Sequence, residues 1–186
     1  MGAKGGAGME KPSRQQQVVH PFPPLFDEQS RILILGSFPS VKSREQNFFY
    51  GHPQNRFWKL MAALFGTDVP SDIPEKRTLI LSHHLALWDV IHSCTITGSS
   101  DASIRDVQAN DLRIILDHAR IEQIVCNGQK SYQMYQKYIR PEIGREALGL
   151  PSTSPANAQW SLEKLKAAWS GAVLAWDADE NLRTGR

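Results

Sequence analysis

The feature that most constrains this 186-residue chain is an alternation of short apolar runs with helix-like segments. Apolar runs of strand length occupy residues 31–35, 85–91, 121–126 and 147–150. A run without polar alternation predicts a strand buried on both faces, as in a parallel sheet. The alternation therefore predicts an α/β domain with a short, mostly parallel four-stranded sheet and helices on both faces.

Helix signals occupy the segments between these runs. Apolar residues at helical spacing begin at Phe57, and a glycine ends that pattern. Cap residues predict further helices that begin at Asp72, at Asn110 or Asp111, and at Ser161. Such helices supply the crossover connections that parallel strands require.

Composition predicts one domain between two polar ends. The chain is 41% hydrophobic and 22% charged, which is ordinary for a globular protein. Residues 1–19 begin with a glycine-rich, polar stretch and are predicted to be disordered, and residues 177–186 are a polar tail. The folded domain is expected to span residues 20–176.

Charge and cysteine content exclude several classes of protein. A formal net charge of +2 excludes a polybasic nucleic-acid coat but allows a local basic patch. The two cysteines, Cys94 and Cys126, exclude a disulfide scaffold and any four-thiolate metal site built from cysteine alone. No apolar run approaches the ~20 residues of a membrane-spanning helix, and no secretory stretch opens the chain. We expect a monomeric intracellular protein without membrane contact.

No group of titratable residues has the spacing of metal ligands. His83 and His84 are adjacent, so they project in different directions. We interpret them, with His52, His92 and Asp89, as structural or surface residues, and we expect neither a metal nor a cofactor.

Ligands of open parallel sheets bind beyond the carboxyl ends of the strands. That rule selects the loops that follow Gly36, Ile91, Asn127 and Leu150, with a polar loop expected after Ile91. The first of these, residues 36–56, combines basic residues with aromatic ones. That mixture suits phosphate contact with base stacking, although such aromatics can also simply complete a core.

Two other loops carry polar groups of interest. Pro151 and Pro155 bracket three hydroxyl residues, a stiff turn that can hold a phosphate, although most such turns are inert. The amide of Asn127 can donate and accept at once, which suits the edge of a nucleobase, although Asn-Gly is also an ordinary turn.

Together these segments resemble the uracil-DNA glycosylase superfamily. Residues 36–39 match its strand-ending G-x-x-P turn, and residues 51–59 resemble the helix entry of the mismatch-specific uracil/thymine branch. Residues 125–128 are similar to its third-strand Asn-Gly, and residues 151–155 occupy the position of its DNA-intercalating loop.

Two departures change the expected substrate. Phe38 stands where the uracil branch has Asp and the mismatch-specific branch Asn, and Leu150 replaces the uracil-branch histidine. With a polar residue displaced downstream to Asn55, the pattern resembles the hypoxanthine-DNA (deoxyinosine) glycosylase branch. This resemblance implies a catalytic role for Asn55, DNA with a deaminated base as substrate, and no iron–sulfur cluster.

The resemblance also implies a set of binding residues. The expected base-binding residues are Gly36, Ser37, Phe38, Phe49 and Asn127. The expected DNA-binding residues are Lys42, Arg44, Pro151, Ser152, Thr153, Ser154 and Pro155.

The expected activity is extrusion of hypoxanthine and hydrolysis of its N-glycosidic bond, leaving an abasic site. The alternatives are a uracil or G:U mismatch glycosylase, and an inactive nucleic-acid-binding member of the fold. A domain that binds a small nucleotide is disfavoured, because the sequence contains neither G-x-G-x-x-G nor G-x-x-x-x-G-K-[ST].

Overall fold

The computed structural model describes residues 14–98 and 101–176. Its strands are β1 (Gln15–Val19), β2 (Ile32–Gly36), β3 (Leu85–Asp89), β4 (Ile91–Thr97), β5 (Arg105–Ala109), β6 (Gln123–Asn127) and β7 (Leu148–Leu150). Its α-helices are α1 (Val41–Gln46), α2 (Phe57–Phe65), α3 (Ile73–Ser82), α4 (Arg113–Leu116), α5 (Gln129–Met134), α6 (Arg140–Ile143) and α7 (Leu162–Val173). A π-helical turn, Tyr135–Ile139, joins α5 to α6.

A four-stranded parallel sheet forms the centre of the molecule, as the apolar runs predict. Its strand order is β3-β2-β6-β7. Every residue of β2 and of β3 is buried, which explains their nearly continuous apolar sequence. The mixed α/β fold with a four-stranded parallel sheet is confirmed.

Helices cover the sheet through apolar faces and begin at the predicted caps. Asp72 accepts a hydrogen bond from the backbone of Glu75 at the start of α3, and Ser161 caps α7. Phe57 of α2 and Trp169 of α7 are fully buried. Within the part of the chain that the structure describes, no helix has the length and apolar character needed to cross a membrane.

A second sheet departs from the sequence-based prediction. It is antiparallel, with the order β1-β4-β5. Residues 15–19, predicted to be disordered, pair with β4 from Gln15 opposite Thr97 to Val19 opposite Ser93. β4 also runs through residues where a polar loop was expected after Ile91. Strand pairing satisfies backbone groups whatever the side chains are, so the polar sequence of β1 carries little signal.

The rest of the predicted ends lies outside the described residues, namely residues 1–13 and 177–186. The turn before α4 is a further correction. Asn110 does not cap the helix; its buried amide donates to the carbonyl oxygens of Asp89 and Ile91 at 2.8 and 3.2 Å. Asp111 accepts from the backbone of Arg113 instead. Asn110 therefore holds the turn that joins β3 to β4.

Candidate active site

The carboxyl ends of the four parallel strands bring distant polar residues together. Gly36 of β2 lies opposite Asp89 of β3, and Asn127 of β6 lies opposite Leu150 of β7. A Cβ added to Gly36 would stand 2.3 Å from Asp89 Oδ1. Only glycine therefore leaves room for this carboxylate, which explains why the strand ends in glycine.

The loop of residues 151–157 is held from outside by directed hydrogen bonds. Arg56, before α2, donates through Nη2 to the carbonyl oxygens of Ser154 and Asn157 at 2.9 and 3.0 Å. Trp169 of α7 donates from Nε1 to the Pro151 carbonyl oxygen at 2.9 Å. These bonds fix the loop in one place between the start of α2 and the side of α7.

Three side chains form a continuous hydrogen-bonded chain across the site. Asn127 donates from Nδ2 to Thr153 Oγ1 at 3.0 Å, and the Thr153 backbone donates to Asn127 Oδ1 at 3.0 Å. The Thr153 hydroxyl in turn donates to Asn55 Oδ1 at 2.9 Å. We call Asn55, Thr153 and Asn127 the Asn–Thr–Asn chain. It joins the loops that follow β2, β6 and β7.

The orientation of the Asn55 amide follows from its partners. Its Oδ1 also accepts from the backbone N–H of Phe57 at 2.9 Å. A backbone N–H can only donate, so this atom must be the amide oxygen. Both lone pairs of that oxygen are engaged, and Asn55 can offer a further partner only its N–H donors.

Thr153 differs from the predicted DNA contact. Its side chain is fully buried and points into the Asn–Thr–Asn chain. The flanking Ser152 and Ser154 are partly exposed, and their hydroxyl oxygens accept from the backbones of Ser154 and Ala156. The hydroxyl hydrogens of Ser152 and Ser154 are not used in these bonds and can donate to a ligand outside the loop. From the sequence, all three hydroxyl residues were expected to contact DNA, whereas the fold turns the middle one inward.

Phe49 also differs from its predicted role. Its ring is 3% exposed and packs edge-on against Phe22 and Phe48, as a core residue does. The neighbouring Tyr50 stacks on Phe57 with centroids 4.0 Å apart and keeps partial exposure. Tyr50 is therefore the better-placed aromatic surface of residues 48–50.

The hydroxyl of Tyr50 is buried in this site. It has no hydrogen-bond partner among the described residues. It stands 3.5 Å from the position that a Cβ on Gly36 would occupy. Burial, and secondarily the nearby Asp89 carboxylate, raise the pKa of Tyr50 above its ordinary value, and a weaker interaction with the nearby Asn127 side chain opposes them, so the phenol stays protonated.

Asp89, interpreted from the sequence as a structural or surface residue, is buried and paired. Its Oδ2 lies 2.7 Å from Nε2 of His20, and both side chains are buried. His20 Nδ1 lies 2.8 Å from the Phe22 carbonyl oxygen. One sequence signal could have identified Asp89. It is a charged residue at the end of a buried strand, and ligands of parallel sheets bind at such ends.

The remaining predicted residues are exposed or partly exposed, apart from the buried Gly36. Phe38 is partly exposed; the Arg44 guanidinium carbon lies 5.7 Å from its ring centroid, and the His20 ring lies 6.1 Å away. Lys42 is exposed and pairs with Glu45 at 3.1 Å. Ser37 accepts from the backbone of Ile91 at 3.0 Å, which ties the loop to β4. Pro151 and Pro155 are partly exposed.

His52, His83 and His84 make local contacts. His83 stacks on Phe65 at 3.7 Å, and His84 bonds to the carbonyl oxygen of Gln29. His52 accepts from the backbone of Gln54, within its own turn. No cluster of three metal-ligating side chains occurs within residues 14–98 and 101–176. Burial raises the pKa of the Cys126 thiol to about 12, so this cysteine is not a ready nucleophile.

Comparison with known proteins agrees with this geometry. The model of the uracil DNA glycosylase superfamily matches residues 23–172. A protein named hypoxanthine DNA glycosylase from Methanosarcina barkeri is 37% identical over 153 residues, 81% of this chain and 95% of that protein. Another of the same name from Methanosarcina acetivorans is 36% identical over 142 residues, 75% of this chain and 89% of that protein.

A solved structure shares the fold. The solution NMR structure of a candidate uracil DNA glycosylase from Methanosarcina acetivorans superposes with a TM-score of 0.70 at 31% identity. The match covers 82% of this chain and 94% of that chain. The resemblance of the sequence motifs is thereby confirmed, and this chain belongs to the uracil DNA glycosylase superfamily.

Proposed function

We propose that the protein is a DNA glycosylase that removes hypoxanthine from deoxyinosine and leaves an abasic site. The observation that carries the proposal is the Asn–Thr–Asn chain, which ties Asn55 to the loop of residues 151–157 over the strand ends. One rigid unit can then both grip DNA and position the reacting groups. The names of the two relatives support hypoxanthine as the base.

The residues that bind DNA are the exposed and partly exposed ones around the site. The outward hydroxyls of Ser152 and Ser154 can donate to phosphate oxygens, and Lys42 and Arg44 add positive charge. Pro151, at one end of the loop, gives it stiffness, so little conformational entropy is lost on binding. Pressed against the duplex, this loop stabilises a nucleotide that has left the stack.

The extruded base enters the slot between the strand ends and residues 48–50. Tyr50 closes one side of this slot, and its ring is held in place by stacking on Phe57 with centroids 4.0 Å apart. Asn127 reads the base with the N–H and the lone pair that Thr153 leaves unused. Gly36 lets the backbone approach the base closely.

Hydrolysis breaks the bond between C1′ and N9. The bonding electrons pass to the purine, and the oxygen of a water molecule forms a new bond to C1′. Asn55 donates an N–H to that water and orients it, because its own oxygen is already engaged. An amide cannot accept the water's proton at neutral pH, so this proton leaves to solvent or to the departing base.

The decisive experiment uses oligonucleotides that carry a single deoxyinosine, deoxyuridine or deoxyxanthosine. After incubation, alkaline cleavage reveals abasic sites. We expect strand scission to be fastest with deoxyinosine. Preference for deoxyuridine would instead support a uracil or mismatch glycosylase, and tight binding without scission would support an inactive binding protein.

We also propose that the protein acts as a monomer inside the cell. No second copy is needed to complete the site, because the Asn–Thr–Asn chain comes from a single chain. Sedimentation equilibrium with and without DNA tests this. A dimer at assay concentration would contradict it.

A further inference from the structure

The inner end of the base slot contains a buried pair that the proposed hydrolysis does not use. Asp89 ends β3 beside Gly36, the last residue of β2. The side chains of Asp89 and His20 are 7% and 2% exposed and lie 2.7 Å apart. A buried pair of ionisable groups is costly to maintain for stability alone, because apolar residues would pack equally well.

Hydrogen bonding determines the protons of this pair. His20 Nδ1 faces the carbonyl oxygen of Phe22 at 2.8 Å, so Nδ1 must carry a hydrogen. The short contact between Nε2 and Oδ2 requires one further proton, on either atom. The pair is therefore neutral overall, and Asp89 Oδ1 is an acceptor that brings no net negative charge toward a departing base.

Two polar atoms, Asp89 Oδ1 and the Tyr50 hydroxyl, meet beside Gly36. His20 binds Asp89 through Oδ2, and the second oxygen, Oδ1, faces Gly36, where a Cβ would lie 2.3 Å away. The buried Tyr50 hydroxyl stands on the same side of Gly36, without a hydrogen-bond partner among the described residues. Buried polar groups are nearly always hydrogen-bonded, so an acceptor beside an unpaired hydroxyl points to a ligand with matching polar groups.

The chemistry of deaminated purines matches this arrangement. Hypoxanthine presents an N1–H donor next to the O6 acceptor, whereas adenine presents the N1 acceptor next to the N6 amino donor. We propose that Asp89 Oδ1 accepts the N1–H of the extruded base while the Tyr50 hydroxyl donates to O6. Asp89 then makes the slot selective for hypoxanthine over adenine, and His20 is the positioning residue that holds the carboxylate.

This inference rests on the proposed function, since it specifies how the same slot chooses its base. Adenine in the same pose would place its N1 lone pair against Asp89 Oδ1 and its amino group against the Tyr50 hydroxyl. The first contact would be unfavourable because two acceptors would face each other without a proton between them, and a site with buried polar groups discriminates strongly when those groups stay unpaired. Normal adenines in DNA would thus be rejected after extrusion.

The first test compares two variants of Asp89. Asp89→Leu keeps the size but removes the acceptor, whereas Asp89→Asn keeps an acceptor if its amide nitrogen faces His20. We expect Asp89→Leu to lower base release from deoxyinosine DNA by about 10- to 100-fold, and Asp89→Asn to lower it by less than about fivefold. Affinity for undamaged duplex should not change. The matched control is Asp117→Leu, at an exposed aspartate, which should behave as wild type.

Equal release rates for Asp89→Leu and wild type, or equal losses in both Asp89 variants, would overturn the proposal. A second measurement does not depend on how the variants fold. Wild-type protein is titrated with free hypoxanthine and with 1-methylhypoxanthine, which lacks the N1–H, and amide chemical shifts report binding. We expect at least about tenfold weaker binding of the methylated base, and a smaller difference in Asp89→Leu.

The two proposals fail in different ways. If the wild type binds hypoxanthine over 1-methylhypoxanthine but releases no base from deoxyinosine DNA, the proposed function is wrong and the role of Asp89 stands. If it releases hypoxanthine from DNA but binds both free bases equally, or binds neither, the role of Asp89 is wrong and the proposed function stands.

Discussion

The loops after β2 and β7 build one site by different physical means. Residues 36–56 are positioned mainly by apolar packing, since Phe48, Phe49 and Phe57 are all buried. Residues 151–157 are positioned by hydrogen bonds, with Arg56 and Trp169 donating to their carbonyl oxygens. Packing tolerates small shifts of a side chain, whereas hydrogen bonds specify direction. The site therefore places its directional chemistry where the two loops meet, at Asn55 and Thr153.

The largest effect on base release is expected from the removal of Asn55, where the two loops meet. We expect Asn55→Ala to lower base release about 1,000-fold, because a preorganised donor to the reacting water is lost. DNA affinity should stay within about twofold, because the phosphate-binding hydroxyls remain. Single-turnover kinetics and fluorescence anisotropy measure the two quantities. Gln54→Ala, at the exposed neighbour, is the control; wild-type turnover of Asn55→Ala would refute the assignment.

Gly36→Ala tests the loop that is positioned by packing, residues 36–56. Its Cβ would lie 2.3 Å from Asp89 Oδ1, so the carboxylate must move. We expect a loss of stability of about 1–3 kcal/mol and a fall in base release of about 100-fold. Gly171→Ala in α7 is the matched control, because its Cβ meets nothing within 4 Å; it should be slightly stabilising. Thermal denaturation of both variants checks the comparison, and equal melting temperatures would contradict it.

Thr153→Val tests the loop that is positioned by hydrogen bonds. Valine has the same shape but cannot donate to Asn55 or accept from Asn127, so each amide loses one of the two contacts that orient it. We expect kcat to fall about tenfold with KM nearly unchanged, because two side-chain hydrogen bonds are lost while each amide keeps its backbone contact. Thr153→Ser should restore most of the rate. A rise in KM without a change in kcat would show that Thr153 acts in DNA binding after all.

Ser154→Ala tests whether DNA binding and base release depend on different side chains of the same loop. The variant loses one outward hydroxyl donor, and the Ser154 side chain is not part of the Asn–Thr–Asn chain. We expect affinity for damaged and undamaged DNA to weaken equally, by about three- to tenfold. Electrophoretic mobility shifts measure both affinities. A selective loss for damaged DNA would place Ser154 in base recognition instead.

The smallest effect is expected at the exposed rim of the long loop. Lys42 already pairs with Glu45 at the surface, so its contribution to DNA binding is electrostatic and screened by salt. We expect Lys42→Ala to reduce the slope of log affinity against log salt concentration by about 1. Titrations between low and moderate salt test this. An unchanged slope would remove Lys42 from the interface.

Much of the fold could be predicted because its signals are local. Continuous apolar runs predict β2, β3 and β6, and caps at Asp72 and Ser161 predict α3 and α7. β1 could not be predicted, since its polar residues form a strand only through pairing with β4. The burial of Phe49 was likewise hidden, because neighbouring aromatics in a loop look alike until packing selects which one faces inward.

The sequence by itself determined the order of the four parallel strands along the chain, the family motifs and the polar residues at the strand ends. Only the tertiary structure decided that Thr153 turns inward to join Asn55 and Asn127, and that His20 pairs with Asp89. These contacts join residues that are far apart along the chain. Periodicity and capping report local preferences, whereas a hydrogen bond between distant residues depends on the sheet that brings the strand ends together.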